Sequence, residues 1–492
     1  MTVKAIDRIL KAFLCSVLMS FASFHWGGVN TACAQQLPRQ EAHQWCMLSS
    51  EDMQGTLRIP VVFLSFTDAA SDNEKAISAT NQNNWMVRLN DKCTNNHMGE
   101  EGSVSDYFRA QSYGLTDVVF EQVGTYTAAG SAAAYQDQST NPQLAKNIAR
   151  ALKGSVDWSR YDNNGDGEVD CLLIIYAGHC DGDESSRGTV IKSIYPHRGW
   201  FEAANISKEK TDDGSYIQGY VFMNSQRHHS TSLNNIGTAC HELSHGIFGL
   251  NDYYKNLVSY MGQYDAMCYG YRQMTYGAAN DHCCDLCSFN RMLLGWLTPA
   301  VLTTPCHVTL QPLSREPDAC VIFDPKDSNH FFMLENRAQL EDTWDAHLPA
   351  GGLVVTEIHW NRQTFQSHYV NAYNTRNVQL ICAATSSKVA YPNASYFNAD
   401  QTQIPYGIEG RQSISSRVSS VFSTQTVTNI RANRDGTVEF DFMGGGTPVG
   451  IDDLPKAEPL SQPAFDLWGR QVDGRGKGIV IENGKKILRS GN

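Results

Sequence analysis

The most chemically informative pattern in this 492-residue chain is a pair of histidines four residues apart, in the segment His241-Glu242-Leu243-Ser244-His245. Residues at positions i and i+4 of an α-helix lie on one face, so both imidazoles can bind a single Zn²⁺ ion. Glu242, which lies between them, can then act as general base towards a water that the zinc activates. Two ordinary histidines on a helix surface are the alternative interpretation of so short a motif.

The surrounding residues predict a buried helix that carries this motif. Apolar side chains recur at helical spacing, at Ile236, Ala239, Cys240, Leu243 and Ile247. Asn235 is suited to cap the start of the helix, and Gly249 is suited to end it.

An aspartate downstream of the helix is the candidate for a third zinc ligand. Asp252, three residues after Gly249, is the first candidate, and Asp265, in a later turn, is the alternative. A glutamate ligand is disfavoured because no Glu occurs between Glu242 and Glu316. The turn that contains Asp265 also contains Met267, and the whole arrangement of Gly, acidic ligand and Met resembles that of the metzincins.

A wider set of separated motifs resembles the immune inhibitor A family of secreted bacterial zinc metalloproteases, over roughly residues 57–442. These motifs are 61–68, 103–108 with 111–114, 161–170, 175–179, 195–197, 236–252, the Met-containing turn, 294–299 and 334–337. The resemblance implies endopeptidase activity on proteins. It also implies a zincin-like catalytic domain of α/β (α+β) class, with helices packed on a twisted mixed sheet below the active-site cleft.

One departure from the pattern of that family concerns the end of the helix. The pattern would place Gly and the acidic ligand where Phe248 and Asn251 stand, whereas Gly249 and Asp252 lie one residue further on. Because the Gly-x-x-Asp spacing is kept, we expect one additional residue at the end of the helix and retain Asp252 as the third ligand.

These assignments predict hydrolysis of peptide bonds. His241, His245 and Asp252 would hold Zn²⁺, and Glu242 would accept the proton of the attacking water and return it to the leaving amine. Tyr269 either stabilises the tetrahedral oxyanion, as similar tyrosines do in some metzincins, or is a core residue.

A second segment has the composition of a calcium loop. Asp162, Asn164, Asp166 and Asp170 resemble the oxygen-rich first half of such a loop, with Gly167 at the tight bend. An EF-hand would have Glu at its twelfth position, where Leu173 stands. The segment therefore predicts either a Ca²⁺ site outside the EF-hand class or a polar turn.

Composition limits the partners. The formal net charge is −12, and Lys and Arg form no stripe, so we expect no nucleic-acid partner.

The N-terminus has the pattern of a signal peptide. Lys4, Arg8 and Lys11 precede the apolar run 12–24, and Ala32-Cys33-Ala34 offers a cleavage site, which predicts a secreted or cell-surface protein. No later segment has the length and apolarity of a transmembrane helix.

The cysteine count suggests disulfides. Removing Cys15 and Cys33 with the signal leaves 14 − 2 = 12, an even number in an exported chain. For Cys46, a disulfide, with Cys93 as one candidate, is favoured over a thiolate that caps the zinc. The residues 282–287 are better explained by packed thiols or disulfides than by a second zinc site.

The expected domain organisation follows from changes of pattern along the chain. We expect a signal peptide (1–34), a short N-terminal segment (35–56), the zincin-like protease domain (57–299), an all-β domain (300–443), and a linker with a C-terminal module (444–492). The last module is similar to C-terminal sorting modules of type IX secretion, which would make secretion machinery a partner; a merely structural hairpin is the alternative.

The sequence thus predicts a secreted zinc endopeptidase that acts on protein or peptide substrates. The alternative function is an exported binding protein or adhesin on a zincin scaffold, in which the shifted third ligand has weakened metal binding.

Overall fold

The computed structural model describes the chain from residue 37 onward with gaps. The described residues are 37–42, 46–67, 73–91, 102–255, 258–272, 283–372, 375–381, 383, 405–407, 412–446, 448–449, 454, 464–466, 471–472, 478–482 and 485–489. The predicted signal peptide lies outside them. Contacts join Gln36–Asn492 in one compact unit.

The α-helices of the described residues are few and mostly short. They are α1 (Ala79–Asn90), α2 (Val104–Gln111), α3 (Asn141–Leu152), α4 (Ile236–Gly246), α5 (Ser288–Leu293) and α6 (Arg362–Gln366). In this part of the chain, none is long and apolar enough to cross a membrane.

Strands supply the rest of the regular structure. The first ten are β1 (Gly55–Ser65), β2 (Thr116–Thr127), β3 (Glu168–Val169), β4 (Leu172–Tyr176), β5 (His197–Trp200), β6 (Glu209–Lys210), β7 (Tyr216–Ile217), β8 (Gly219–Asn224), β9 (Tyr254–Lys255) and β10 (Val258–Ser259). The remaining strands are β11 (Ala300–Val301), β12 (Cys306–Leu310), β13 (Ala319–Asp324), β14 (Asp327–Arg337), β15 (Gly352–His359), β16 (Val378–Ile381), β17 (Val427–Ala432), β18 (Val438–Phe442), β19 (Pro448–Val449), β20 (Ala464–Asp466), β21 (Gln471–Val472), β22 (Gly478–Glu482) and β23 (Lys485–Arg489).

The first large sheet has the strand order β2-β1-β4-β8-β5 and is mixed. Its first four strands are parallel to one another, and β5 pairs with β8 in the antiparallel sense at the edge. β4 and β8 are buried at every residue, as expected for central strands covered on both faces. The fold is therefore mixed α/β, as the sequence predicted at this coarse level.

The region after residue 300 is built from two further sheets, of order β11-β13-β14-β15-β16 and β17-β18-β12-β19. Side chains of β14 alternate between two cores. Phe331 and Met333 join the core that also contains β1 and α4, whereas Phe332 and Leu334 join a second core with Phe440. The hydrophobic core therefore continues across the predicted boundary near residue 300, and the region is nearly all β, with α6 as its one described α-helix beside two short 3-10 turns.

The C-terminal strands pair as the sequence predicted for a hairpin-like tail. β22 and β23 form an antiparallel hairpin, and β20 adds β21 to give a four-stranded sheet of order β21-β20-β22-β23.

A buried charge cluster joins the β-rich region to the turn that contains Met267. Arg337 is fully buried and donates two hydrogen bonds of 2.6 Å to the Asp345 carboxylate. The same guanidinium contacts Glu335 at 3.1 Å and donates to the Tyr264 carbonyl at 2.5 Å. Because all three charged groups are fully buried, each depends on the others for its solvation.

Replacing Arg337 by Met should therefore leave two carboxylates buried without a cation, and lower the free energy of unfolding by about 3–5 kcal/mol. Arg315→Met is the matched control, because Arg315 and Asp342 form a solvent-exposed ion pair, whose loss should leave the free energy of unfolding nearly unchanged. Urea unfolding of both variants measures the difference. Equal stability of the two variants would contradict this account of the cluster.

Candidate metal centre

Three of the sequence-predicted ligands converge at one point. The Nε2 atoms of His241 and His245 lie 3.3 and 3.2 Å from the same Oδ1 oxygen of Asp252. All three ligand atoms lie within 4.8 Å of one another. Tetrahedral zinc with bonds of about 2.0–2.1 Å needs ligand atoms about 3.3 Å apart, so the donor set fits this metal.

Helix α4 positions the two histidines as the sequence predicted. It begins after Asn235 and ends at Gly246, and all of its residues are buried. The two imidazoles, one helical turn apart, have centroids 4.8 Å apart and planes at 85°. Their ring planes are therefore oriented so that lone pairs from both can meet.

The end of α4 returns the chain to the histidines. Gly249 has φ of +65°, and a Cβ at this position would lie 2.5 Å from Cys46 Cβ, so only glycine fits. The Leu250 amide donates to the Ser244 carbonyl, six residues back, which is one residue more than in a Schellman cap. This wider turn lies where the sequence spacing places one additional residue.

Backbone carbonyls fix the orientation of both rings. His241 Nδ1 contacts the Ala266 carbonyl at 2.8 Å, and His245 Nδ1 contacts the Leu250 carbonyl at 2.6 Å. Since a carbonyl oxygen only accepts, each Nδ1 carries the hydrogen, and in the neutral ring Nε2 keeps the lone pair that a metal needs. Such partners hold metal-binding imidazoles in proteins generally.

Electrostatics favours the charged pair in the metal-free protein. Burial opposes ionisation of Asp252, but the charges and hydrogen bonds of the two histidines hold its pKa well below the usual range. Burial likewise opposes protonation of His241, yet Asp252 raises the pKa of that imidazole. A divalent cation bound between these side chains would take the place of the imidazole proton as the positive partner of the Asp252 carboxylate.

Asp265, the alternative ligand, has a structural position instead. It is fully buried, and its carboxylate accepts hydrogen bonds from the amides of Met267 (2.6 Å) and Cys287 (2.7 Å). The Asn290 side chain donates to both of its oxygens. Asp265 therefore shapes the turn whose Ala266 carbonyl holds His241, while Asp252 takes the position between the histidines.

Glu242 lies on the same helix with a buried side chain, and two residues of the edge strand β5 lie within range of its charge. Burial lowers the pKa of His197, and its Nδ1 donates to the Tyr195 carbonyl at 2.7 Å, so a neutral ring lies within range of the Glu242 charge. The negative charges of Asp252 and Glu242 both favour the protonated Arg198 guanidinium. No pattern in the sequence indicated Arg198, because only the fold of β5 places it here.

Tyrosines other than the predicted one cover His241. The Tyr271 ring lies 4.3 Å from the His241 ring, and Tyr254 stacks on it at 6.1 Å. Tyr269 stacks instead on Tyr254, with 5.4 Å between centroids. The structure therefore brings Tyr271 and Tyr254 to the imidazole, and Tyr269 lies one ring further away.

The predicted calcium loop forms a tight polar turn. Both Asp162 oxygens accept backbone amides, from Asp166 and Gly167, and Asp166 accepts the amide of Glu168. The Asn164 side-chain oxygen accepts from the same Asp166 amide, and its side-chain nitrogen donates to the Asp166 carboxylate. Among the described residues, these carboxylates do not form a shared three-ligand group, so Ca²⁺ binding at this loop stays a prediction.

Asp170 differs from the other residues of this loop in the hydrogen bonding of its carboxylate. One oxygen accepts from the amide and side chain of Asn163, while the other is buried without a hydrogen-bond partner among the described residues. Burial raises the pKa of Asp170 to about 7.

The expectation of disulfides is wrong for the cysteines that the structure describes, because all of them are buried and none is joined to another in a disulfide. Cys46 lies 3.6 Å from the Ile247 carbonyl, and burial raises the pKa of its thiol to about 12. Neither the disulfide nor the thiolate cap on zinc fits such a group. Cys283, Cys284 and Cys287 are packed thiols, one of the two arrangements that the sequence favoured over a second zinc there. Cys93 lies outside the described residues.

No protein-family model matches this chain, and no curated protein matches it either.

The two aspartates should respond differently to substitution. Asp252→Ala should weaken zinc binding by more than the roughly 10- to 100-fold cost of losing an outer-shell partner. Asp265→Asn should keep the zinc but lower the free energy of unfolding by about 3 kcal/mol, because an amide cannot accept all four hydrogen bonds. Zinc titration and urea unfolding measure both quantities; the reverse pattern would reinstate Asp265 as ligand.

Asp170 should make stability depend on pH. Its folded pKa is raised from 3.8 to about 7, so between these values the folded chain retains a proton that the unfolded chain loses. Stability should therefore fall as pH rises through this window, by up to about 4 kcal/mol, and Asp170→Asn should abolish that fall.

Unfolding midpoints at about pH 5 and about pH 8, in EGTA, test this dependence. A wild-type profile as flat as that of the variant would contradict it. Added Ca²⁺ should raise the midpoint of the wild type alone if the loop binds the ion.

Proposed function

We propose that this protein is a secreted zinc-dependent endopeptidase that hydrolyses peptide bonds of proteins. The observation that carries the proposal is the convergence of His241 Nε2, His245 Nε2 and Asp252 Oδ1 at separations that suit one zinc ion. Glu242, one residue after the first histidine, supplies the carboxylate that peptide hydrolysis needs.

We infer a zincin-like arrangement for the catalytic portion. Two features support it: a mixed sheet whose edge strand β5 runs antiparallel to its neighbour, and a buried helix α4 against that sheet. The resemblance of the sequence motifs to the immune inhibitor A family points the same way.

The proposed chemistry divides between the metal and the side chains. Bound zinc would supply Lewis-acid charge to the scissile carbonyl and to a water molecule. The Glu242 carboxylate accepts the proton of that water and afterwards delivers it to the leaving nitrogen. Arg198 and the neutral His197 contribute positive charge and a hydrogen-bonding nitrogen on the β5 side of the carboxylate.

Extended protein substrates suit the edge of the first sheet. Among the described residues, β5 is the last strand of this sheet, and a peptide that paired with its outer side would pass beside α4. This arrangement supports an endopeptidase that binds the backbone of an extended substrate along β5.

Export is part of the same proposal. The basic and apolar segments before Ala34 have the pattern of a signal peptide, and the strands β20–β23 form a separate terminal sheet. We propose that this sheet serves as the sorting module for the secretion machinery.

Changing Glu242 to Gln tests the proposed function. The variant should retain zinc, because the three ligands are intact, and lose roughly a hundred- to ten-thousand-fold in casein cleavage, because the proton acceptor is gone. Glu202→Gln, at an exposed glutamate, is the matched control and should cleave casein at the wild-type rate.

Two outcomes would contradict the assignment. Undiminished cleavage by Glu242→Gln would remove this carboxylate from the mechanism. A zinc-free wild-type protein after equilibration with the metal would instead favour the binding-protein alternative.

A further inference from the structure

A second group of metal-ligating side chains lies in the β-rich region. His330 on β14 and both Glu357 and His359 on β15 place one donor atom each within 4.8 Å of the others. In the described part of the chain, this group and the His241 group are the ones that meet this criterion.

Strand register produces the cluster. His330 and His359 are directly opposite in the antiparallel pairing of β14 with β15. Glu357 is two residues before His359 and therefore shares its face, while Ile358 between them points into the first core. A Glu-x-His pattern on β15, with His330 opposite on β14, thus gathers three donors on one sheet face.

The donor separations suit a tetrahedral metal. Glu357 Oε1 lies 2.9 Å from His330 Nε2 and 3.6 Å from His359 Nε2, on either side of the about 3.3 Å that zinc ligands need. The His330 and Glu357 side chains are each 12% exposed, whereas that of His359 is 46% exposed. Two donors are therefore held in place, and the third borders solvent.

Neighbouring groups orient the two buried donors. Asp324 Oδ2 lies 3.0 Å from His330 Nδ1, which fixes the ring and leaves Nε2 directed at Glu357. Gln379 on β16 donates to Glu357 Oε2, so the other oxygen, Oε1, is left to the histidines. A carboxylate behind a metal-binding imidazole is the outer-shell arrangement found at many zinc sites.

The exposed histidine has to move to complete the site. The His330 and His359 rings are stacked, with centroids 4.1 Å apart and planes at 7°, so their lone pairs are parallel and do not meet. At the first site the two rings are at 85°. A turn of the half-exposed His359 ring about its side-chain torsions would bring its Nε2 towards the point that His330 and Glu357 already face.

We propose that His330, Glu357 and His359 bind a second Zn²⁺ ion, with water as the fourth ligand. The ion would clamp β14 to β15 at the rim of the second core, where His330 packs on Phe332. The site is independent of the proposed catalytic zinc, since no residue is shared.

The test is the zinc content of the full chain carrying Glu242→Gln, which prevents self-cleavage. After equilibrium dialysis against buffered Zn²⁺ at neutral pH, elemental analysis should find two ions per chain. Adding His359→Ala should leave one ion, and adding His245→Ala should leave the other.

His307→Ala is the matched control, because His307 also lies on a β-strand beside two acidic residues, Asp441 and Glu439, without forming a three-ligand group. This variant should keep two ions. Metal-free melting temperatures equal to that of the parent exclude misfolding of His359→Ala as the cause of its loss.

The outcomes separate the two sites. Two ions in His359→Ala, or a single ion in the parent that disappears only with His245→Ala, would overturn the second site and leave the proposed function intact. A single ion in the parent that disappears only with His359→Ala would support the second site and overturn the catalytic one.

Discussion

The structure around the candidate centre depends on how two buried imidazoles satisfy their hydrogen-bonding atoms. Each ring has one nitrogen held by a backbone carbonyl, and the other nitrogen is thereby directed at Asp252. Those carbonyls belong to two different loops, one that ends α4 and one that contains Met267. The two imidazoles are therefore oriented only if both loops are held in place, which helix α4 alone cannot ensure.

Buried polar groups behind the site hold the Met267 loop in place. Asp265 gathers the amides of its own turn and of the start of α5, and Arg337 holds the Tyr264 carbonyl just before it. Burying such charges is costly unless each is hydrogen-bonded, and here the β-rich region supplies the guanidinium. This region is thus part of the framework of the candidate metal centre, which explains the core that runs across residue 300.

Local patterns in the sequence predicted much of this arrangement. The apolar spacing of α4, Asn235 before it and Gly249 after it were sufficient to predict the helix, and the Gly-x-x-Asp spacing selected Asp252. The short strands β5 and β8 and the aromatic cover from Tyr254 and Tyr271 depend on contacts between distant segments, for which one sequence gives no signal. Parity of the cysteine count suggested disulfides, but parity carries no information about distance.

The His330 cluster was missed for a similar reason. His330 and Glu357 are 27 residues apart, and only the register of β14 with β15 brings them together. Neither residue lies in a spacing that is typical of a zinc motif. Periodicity predicts strands well, whereas the pairing of strands decides which side chains meet.

Anomalous diffraction at the zinc edge, from crystals of zinc-loaded protein, tests the central claim most directly. We expect a peak bonded at about 2.0–2.2 Å to His241 Nε2, His245 Nε2 and an Asp252 oxygen. A zinc-loaded crystal in which these three side chains share no peak would contradict the account.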